Sequence, residues 1–208
     1  MIDAQWLLFL VASLAVIATP GQDMILVMSK SLAQGTRAGL ATAAGVSVGL
    51  VGHTLLATLG LGALLRTSEW LFTGIKFAGA AYLVYLGVQL FRARKAHLAD
   101  DVTPVESHLR LFATGAASNI SNPKIAVFYF AFLPQFVTPN AQAPTVTIFA
   151  LGLVFAVLTF VIKGPVAMFA GRLSSWFRTR PAALLGLYRL SGLVMLGLAV
   201  RLALTRRD

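Results

Sequence analysis

The sequence contains no cysteine, only seven Asp or Glu among its 208 residues, and charged side chains make up just 12% of the chain. Each shortage excludes something. Without thiols there are no disulfides, no thiolate metal site and no dithiol electron transfer. A charged content of 12% stands far below the roughly 25% of an average soluble domain. Meanwhile 58% of the residues are hydrophobic and the mean hydropathy is +0.81. A water-soluble fold cannot hide that much apolar surface. The charge that exists is lopsided: 17 Lys or Arg give a formal net charge of +10 and a pI of about 10.9. In a soluble protein that excess would raise nucleic acid as a partner. Here the basic residues mostly lie between or after apolar runs, so the expected partner is the lipid bilayer and not nucleic acid.

Six apolar stretches approach the roughly 20 residues that cross a hydrocarbon core of about 30 Å. They lie at about 4–28, 39–65, 69–91, 111–137, 145–170 and 182–204. The expected fold is therefore an all-α integral membrane protein with six transmembrane helices in one domain, 1–208, and little is left over for an extramembrane domain. Trp6–Ala18 has the length of a cleavable leader, but no Lys or Arg precedes it and Asp3 is acidic, so it is expected to be retained. The loops after the first, third and fifth stretches carry Lys30, Arg37, Arg92, Arg94, Lys95, Arg110, Arg172, Arg178 and Arg180. The opposite face carries Arg66, Arg201, Arg206 and Arg207. The positive-inside bias puts the first set in the cytoplasm and the N-terminus outside, with the three C-terminal arginines opposing that orientation.

The polar stretch "RARKAHLADDVTPVESHLR", residues 92–110, reads as a cytoplasmic linker between halves at about 4–91 and 111–204. The first apolar stretch of each half is interrupted, at "ATPGQDM" (Ala18–Met24) and at "SNPK" (Ser121–Lys124). Pro20 and Pro123 are 103 residues apart, and the same shift carries 39–65 onto 142–168, close to the fifth stretch. The last stretch fits less well, lying about ten residues late. Transporters are often built from repeats broken in corresponding places. Because each half has an odd number of spans, the two would run inverted across the bilayer.

Proline removes one backbone donor and crowds a carbonyl, and Gly21 next to Pro20 tolerates unusual dihedrals, so each helix is expected to open at its break. Open backbone at membrane depth is tolerated only where protein buries it or a watery cavity receives it. Each break also holds one ionisable group, Asp23 in the first half and Lys124 in the second. A charge at that depth costs roughly 2.5–3.5 kcal/mol, so it needs a partner or a task. Lys124 receiving a carboxylate and Asp23 an ammonium or a proton would suit a zwitterion; the alternative is that the two simply neutralise each other. Asn119 and Asn122 suit either ligand recognition or capping of the broken helix. On the second span Ala41, Gly45, Gly49 and His53 recur every four residues along one helix face, where small residues let another helix approach. His53 on that line is either a packing residue or a proton relay. Lys76 is expected to snorkel towards an interface. Lys163, beside Gly164 and Pro165, marks a candidate third break and a candidate cavity residue.

Three stretches resemble the LysE/RhtB amino-acid exporters, the LysE-type translocators: "TPGQDMILVMSKSLAQGTRAGLATAAGVSVGLVGH", "KFAGAAYLVYLG" and "FATGAASNISNPKIAVFYFAFLPQF". They are similar, in order, to the family's Pro-Gly segment with its Gly-rich helix, its Gly-Ala-x-Tyr-Leu helix, and its Asn-Pro-Lys helix ending in Pro-Gln-Phe. The resemblance implies a bacterial inner-membrane carrier that expels amino acids or close derivatives, coupled to the proton gradient and without a cofactor. By motif position it singles out Pro20, Gly21, Asp23, Gly45, His53, Asn122, Pro123 and Lys124. Gln22 departs from it, standing where the family usually has a second proline. A homo-oligomer is compatible with all of this. The competing expectations are a cation exporter, for which the spans supply few ligands, and an intramembrane enzyme, for which no nucleophile and base pair has motif spacing.

Overall fold

A computed structural model describes residues 4–67, 69–92, 105–137 and 143–204. Arg94 and Lys95 of the linker, Asp3, and Arg206 and Arg207 of the tail lie outside the described residues. The elements are α1 (Ala4–Ala18), α2 (Gln22–Gln34), α3 (Thr36–Thr67), α4 (Glu69–Arg92), α5 (His108–Ile120), α6 (Pro123–Val127), α7 (Pro144–Met168), α8 (Ala170–Thr179) and α9 (Pro181–Leu204). A π turn, Phe128–Phe132, and a 3-10 turn, Leu133–Phe136, extend α6.

Among the described residues four segments are long and apolar enough to cross a bilayer: Thr36–Gly60, Thr73–Arg92, Pro144–Met168 and Pro181–Leu204. Trp6–Ala18 and Gln22–Gln34 are apolar and long enough only when taken together, as a pair bent by 52° at the break. The stretch at 111–137 is interrupted where its "SNPK" motif leads one to expect, as α5 and α6 with a break between them. Its ends nevertheless match those of the bent pair. Glu106, just before α5, meets Lys30 and Gln34 near the end of α2, whereas Phe136 packs edge-on against Phe9 of α1, ring centroids 5.4 Å apart. The segment from Glu106 to Phe136 therefore runs antiparallel to α1–α2 over the same depth.

The long helices pair in the same sense. Gly39 and Gly152 bring α3 and α7 together antiparallel, facing Ala167 and Thr54. Gly79 and Gly87 of α4 face Leu202 and Leu196 of α9, again antiparallel. The core between them is apolar, with Phe9, Leu50, Tyr129, Phe132, Phe155 and Met195 fully buried. Large apolar side chains such as Leu59, Val157 and Leu193 point outward, as lipid-facing positions require.

Two local expectations differ from the structure. Helix α7 continues through Pro165 to Met168 and turns into α8 at Phe169, so "VIKGPV" is not a break; one missing bond is absorbed by intact turns on both sides. Gly21 has φ −165° and ψ −172°, an extended backbone open to any residue. A Cβ there would stand 3.4 Å from Lys124 Nζ, an ordinary contact with the end of a flexible side chain, so neither backbone nor space requires glycine at this position.

The Lys30–Glu106 pair ties the two broken segments at one end, with Nζ and Oε1 2.6 Å apart. This hydrogen bond outweighs the opposing effect of burial and holds the Glu106 carboxyl below its ordinary 4.5. A carboxyl depressed by folding adds stability above its unfolded value and loses it as pH falls through the folded one. The melting temperature of the solubilised wild type should therefore fall more steeply on acidification below about pH 4.5 than that of Glu106→Gln. Parallel curves would remove the pair from the stabilising contacts.

Candidate functional site

Both breaks have the same local cause. In an unbroken helix residue 20 would donate to the carbonyl of Val16 and residue 123 to that of Asn119, but proline has no N–H. Side chains from other elements meet the freed carbonyls. Lys124 Nζ donates to Val16 O at 3.2 Å and to Thr19 O at 3.4 Å. This sets a cation against the negative end of the α1 dipole. His53 Nε2 lies 3.2 Å from Asn119 O, which also accepts the Asn122 N–H. A carbonyl can only accept, so Nε2 carries a proton. Among the described residues the buried Nδ1 of His53 has no partner. Val16 and Asn119 are separated by 103 residues, the same offset as the prolines.

Asp23, in the first turn of α2, is buried among donors. Its Oδ2 accepts from Asn119 Nδ2 at 2.8 Å and from Lys163 Nζ at 3.3 Å, and its Oδ1 from Ser118 Oγ at 3.3 Å. Asn119 and Lys163 are buried with it. Among the described residues the other end of the Asn119 amide, Oδ1, is buried without a donor. Asn122 stands beside the same carboxylate and caps α6, its Oδ1 accepting from Lys124 N at 3.1 Å.

Close helix packing positions this cluster. A Cβ at Gly45 would collide with the carbonyl oxygen of Phe112, and one at Gly115 with that of Thr42. At Gly49 it would come within 2.8 Å of Ala116 O and 2.9 Å of Asn119 Cβ. These contacts let α3 and α5 touch along their backbones, which brings His53 to Asn119 and Asn119 to Asp23.

Of the residues singled out in the sequence, Asp23, Asn119, Asn122 and Lys163 form one buried group, His53 reaches it through Asn119, and Lys124 stands apart. The direct counter-ion of Asp23 is Lys163, not Lys124. Lys124 faces a cavity of about 200 Å³ whose other walls include Gln22, Tyr82, Leu86, Leu90 and Met195. A cation at one end and apolar walls at the other can hold a small solute with an anionic head. Among the described residues no three His, Asp or Glu side chains converge on one point.

The family described as LysE type translocator matches residues 14–206. The chain belongs to the LysE-type translocators. Their membership makes it a multi-pass membrane protein, in agreement with its apolar helices. A homoserine/homoserine lactone efflux protein of Salmonella typhimurium is 35% identical over 173 residues, covering 83% of this chain and 84% of its own. A leucine efflux protein of Klebsiella pneumoniae is 32% identical over 203 residues, covering 95% and 94%. An uncharacterised membrane protein of Vibrio cholerae is 31% identical over 199 residues, covering 95% and 96%. No solved structure matches this translocator.

Sequence reasoning missed Ser118, Thr19 and the cavity walls. Thr19 carried a usable signal, since it lies 103 residues before Asn122 and is likewise buried ahead of a proline. Ser118, which also accepts from Gln22 Nε2 at 3.1 Å, carried none.

Proposed function

We propose that this translocator is a secondary exporter of amino acids or close derivatives in a bacterial inner membrane, working by alternating access and driven by the proton gradient. The observation that carries the reading is the position of Lys124. It is the cation among the described lining residues of the apolar-walled cavity, and it bonds the opposite broken helix at Val16 and Thr19. A substrate carboxylate drawn to Lys124 would compete with those carbonyls and loosen the contact between the breaks, which couples binding to movement. The efflux names of the Salmonella and Klebsiella relatives support amino acids as the cargo.

The architecture we propose is a single domain of two inverted three-helix repeats joined by the 92–110 linker, with the N-terminus outside. The antiparallel pairing of α3 with α7, of α4 with α9, and of the two broken segments supports it, because an inverted repeat packs each element against its counterpart. Lys30, Arg37, Arg110 and Arg172 gather around the ends of α2, α5 and α7, which favours the cytoplasm on that side.

Efflux from cells preloaded with dipeptides tests the function, comparing cells with and without the protein across a panel of amino acids. Faster exit of one or a few of them is the expected result. If none moves although the protein is inserted, the amino-acid reading is overturned.

A further inference from the structure

Two cations share one carboxylate at the buried centre: Lys163 is bonded to Asp23, and Lys124 stands within electrostatic reach of both. The side chains of Asp23 and Lys163 are only 4% and 6% exposed, so the pair is sealed from water. An amino acid brings a third cation, its ammonium. Its carboxylate can balance Lys124, but its ammonium finds a single anion already occupied.

The other charged or titratable groups around Lys163 offer no substitute. On α2 the next is Lys30, held by Glu106 at the far end. On α3 they are His53, bonded to Asn119 O, and Arg37, exposed at the helix start. On α8 they are the exposed Arg172 and Arg178. α1 and the 3-10 turn contribute no charged residue. One acceptor is waiting, the unpartnered Oδ1 of Asn119, whose amide already donates to Asp23. An ammonium placed against Asp23 and Asn119 would satisfy its N–H groups at the position Lys163 now occupies.

We infer that Lys163 is the proton carrier of the transport cycle: the substrate ammonium displaces it from Asp23, and the displaced lysine gives up its proton. A buried ammonium without a counter-ion is strongly disfavoured, whereas a neutral amine is not. The balance closes. Facing the cytoplasm, substrate binds and Lys163 –NH₃⁺ becomes –NH₂, with the proton passing to cytoplasmic water. Facing outward, substrate leaves, Lys163 takes a proton from outside and returns to Asp23. Each cycle moves one zwitterion out and one proton in. This rests on the exporter reading and adds the residue that couples it.

The test uses the full-length protein with L-leucine and L-homoserine as probes, proton release being followed in weakly buffered detergent solution. Wild type should release one proton per probe bound, and His53→Ala, although it binds more weakly for its lost hold on Asn119, should keep that ratio of protons to bound probe. Lys163→Gln should release none, and its remaining flux in proteoliposomes should be several-fold slower and indifferent to an imposed pH gradient. Lys163→Arg, which stays charged, should bind about tenfold more weakly and release none. Binding to wild type without proton release, gradient-driven accumulation by Lys163→Gln, or loss of release in His53→Ala would each overturn the inference and leave the exporter standing. Failure of the wild type to bind or move any amino acid would overturn both. The wild-type measurement decides the matter even if the Lys163 variants do not fold.

Discussion

Gly45→Ala is expected to destabilise the protein by about 3 kcal/mol, the upper end of ordinary overpacking. The added methyl would meet a carbonyl oxygen, that of Phe112, and backbone on a packed helix cannot step aside as a flexible side chain can. In a chain of this size that corresponds to a melting temperature lower by roughly 6–12 °C. The same separation of α3 from α5 would draw Asn119 away from Asp23, so the protein that does fold should also transport poorly. Gly197→Ala is the control: nothing lies within 4 Å of a Cβ there, and α9 should lose nothing and gain helix propensity. Melting curves of the two variants in one detergent, compared with wild type, check the expectation; equal curves would mean that α3 and α5 have room to separate.

Lys124→Ala is expected to bring export down to the level of cells lacking the protein, a loss of about 100-fold or more if the lysine balances a buried carboxylate. Folding should survive, because the carbonyls of Val16 and Thr19 that it leaves behind border the cavity and water can take the place of the ammonium. Asp23→Asn should differ in kind. It leaves Lys163 buried without its counter-ion, so stability and transport should fall together. Efflux and melting temperature measured on both variants at matched expression separate the two roles. Wild-type export by Lys124→Ala would remove that residue from the site.

Features that a single residue dictates were legible in the sequence. Pro20 and Pro123 each delete a donor wherever they stand, so both breaks could be read directly. The glycines of α3 announced a close contact by their spacing, although not that α5 was the partner. Four of the six apolar stretches fell on long helices because a bilayer demands continuous hydrophobicity. Pairings were not legible. Asp23 and Lys163 are 140 residues apart, and only the docking of α2 and α3 on α7 brings them together. Pro165 misled for the converse reason: whether a proline breaks a helix depends on the packing around it. Helix α8 went unread because it is short and polar on one side, with none of the length that marked its neighbours.

The two ends of the antiparallel broken segments are fastened by different forces. At one end Lys30 meets Glu106 among polar neighbours; at the other, Phe9, Phe132 and Phe136 lock edge against face. Acidity and screening by salt weaken the first and not the second, whereas warming within the physiological range favours apolar association and does little for a half-buried ion pair. The two fastenings therefore answer to different conditions, and the ionic composition of the surrounding water bears mainly on the Lys30–Glu106 end.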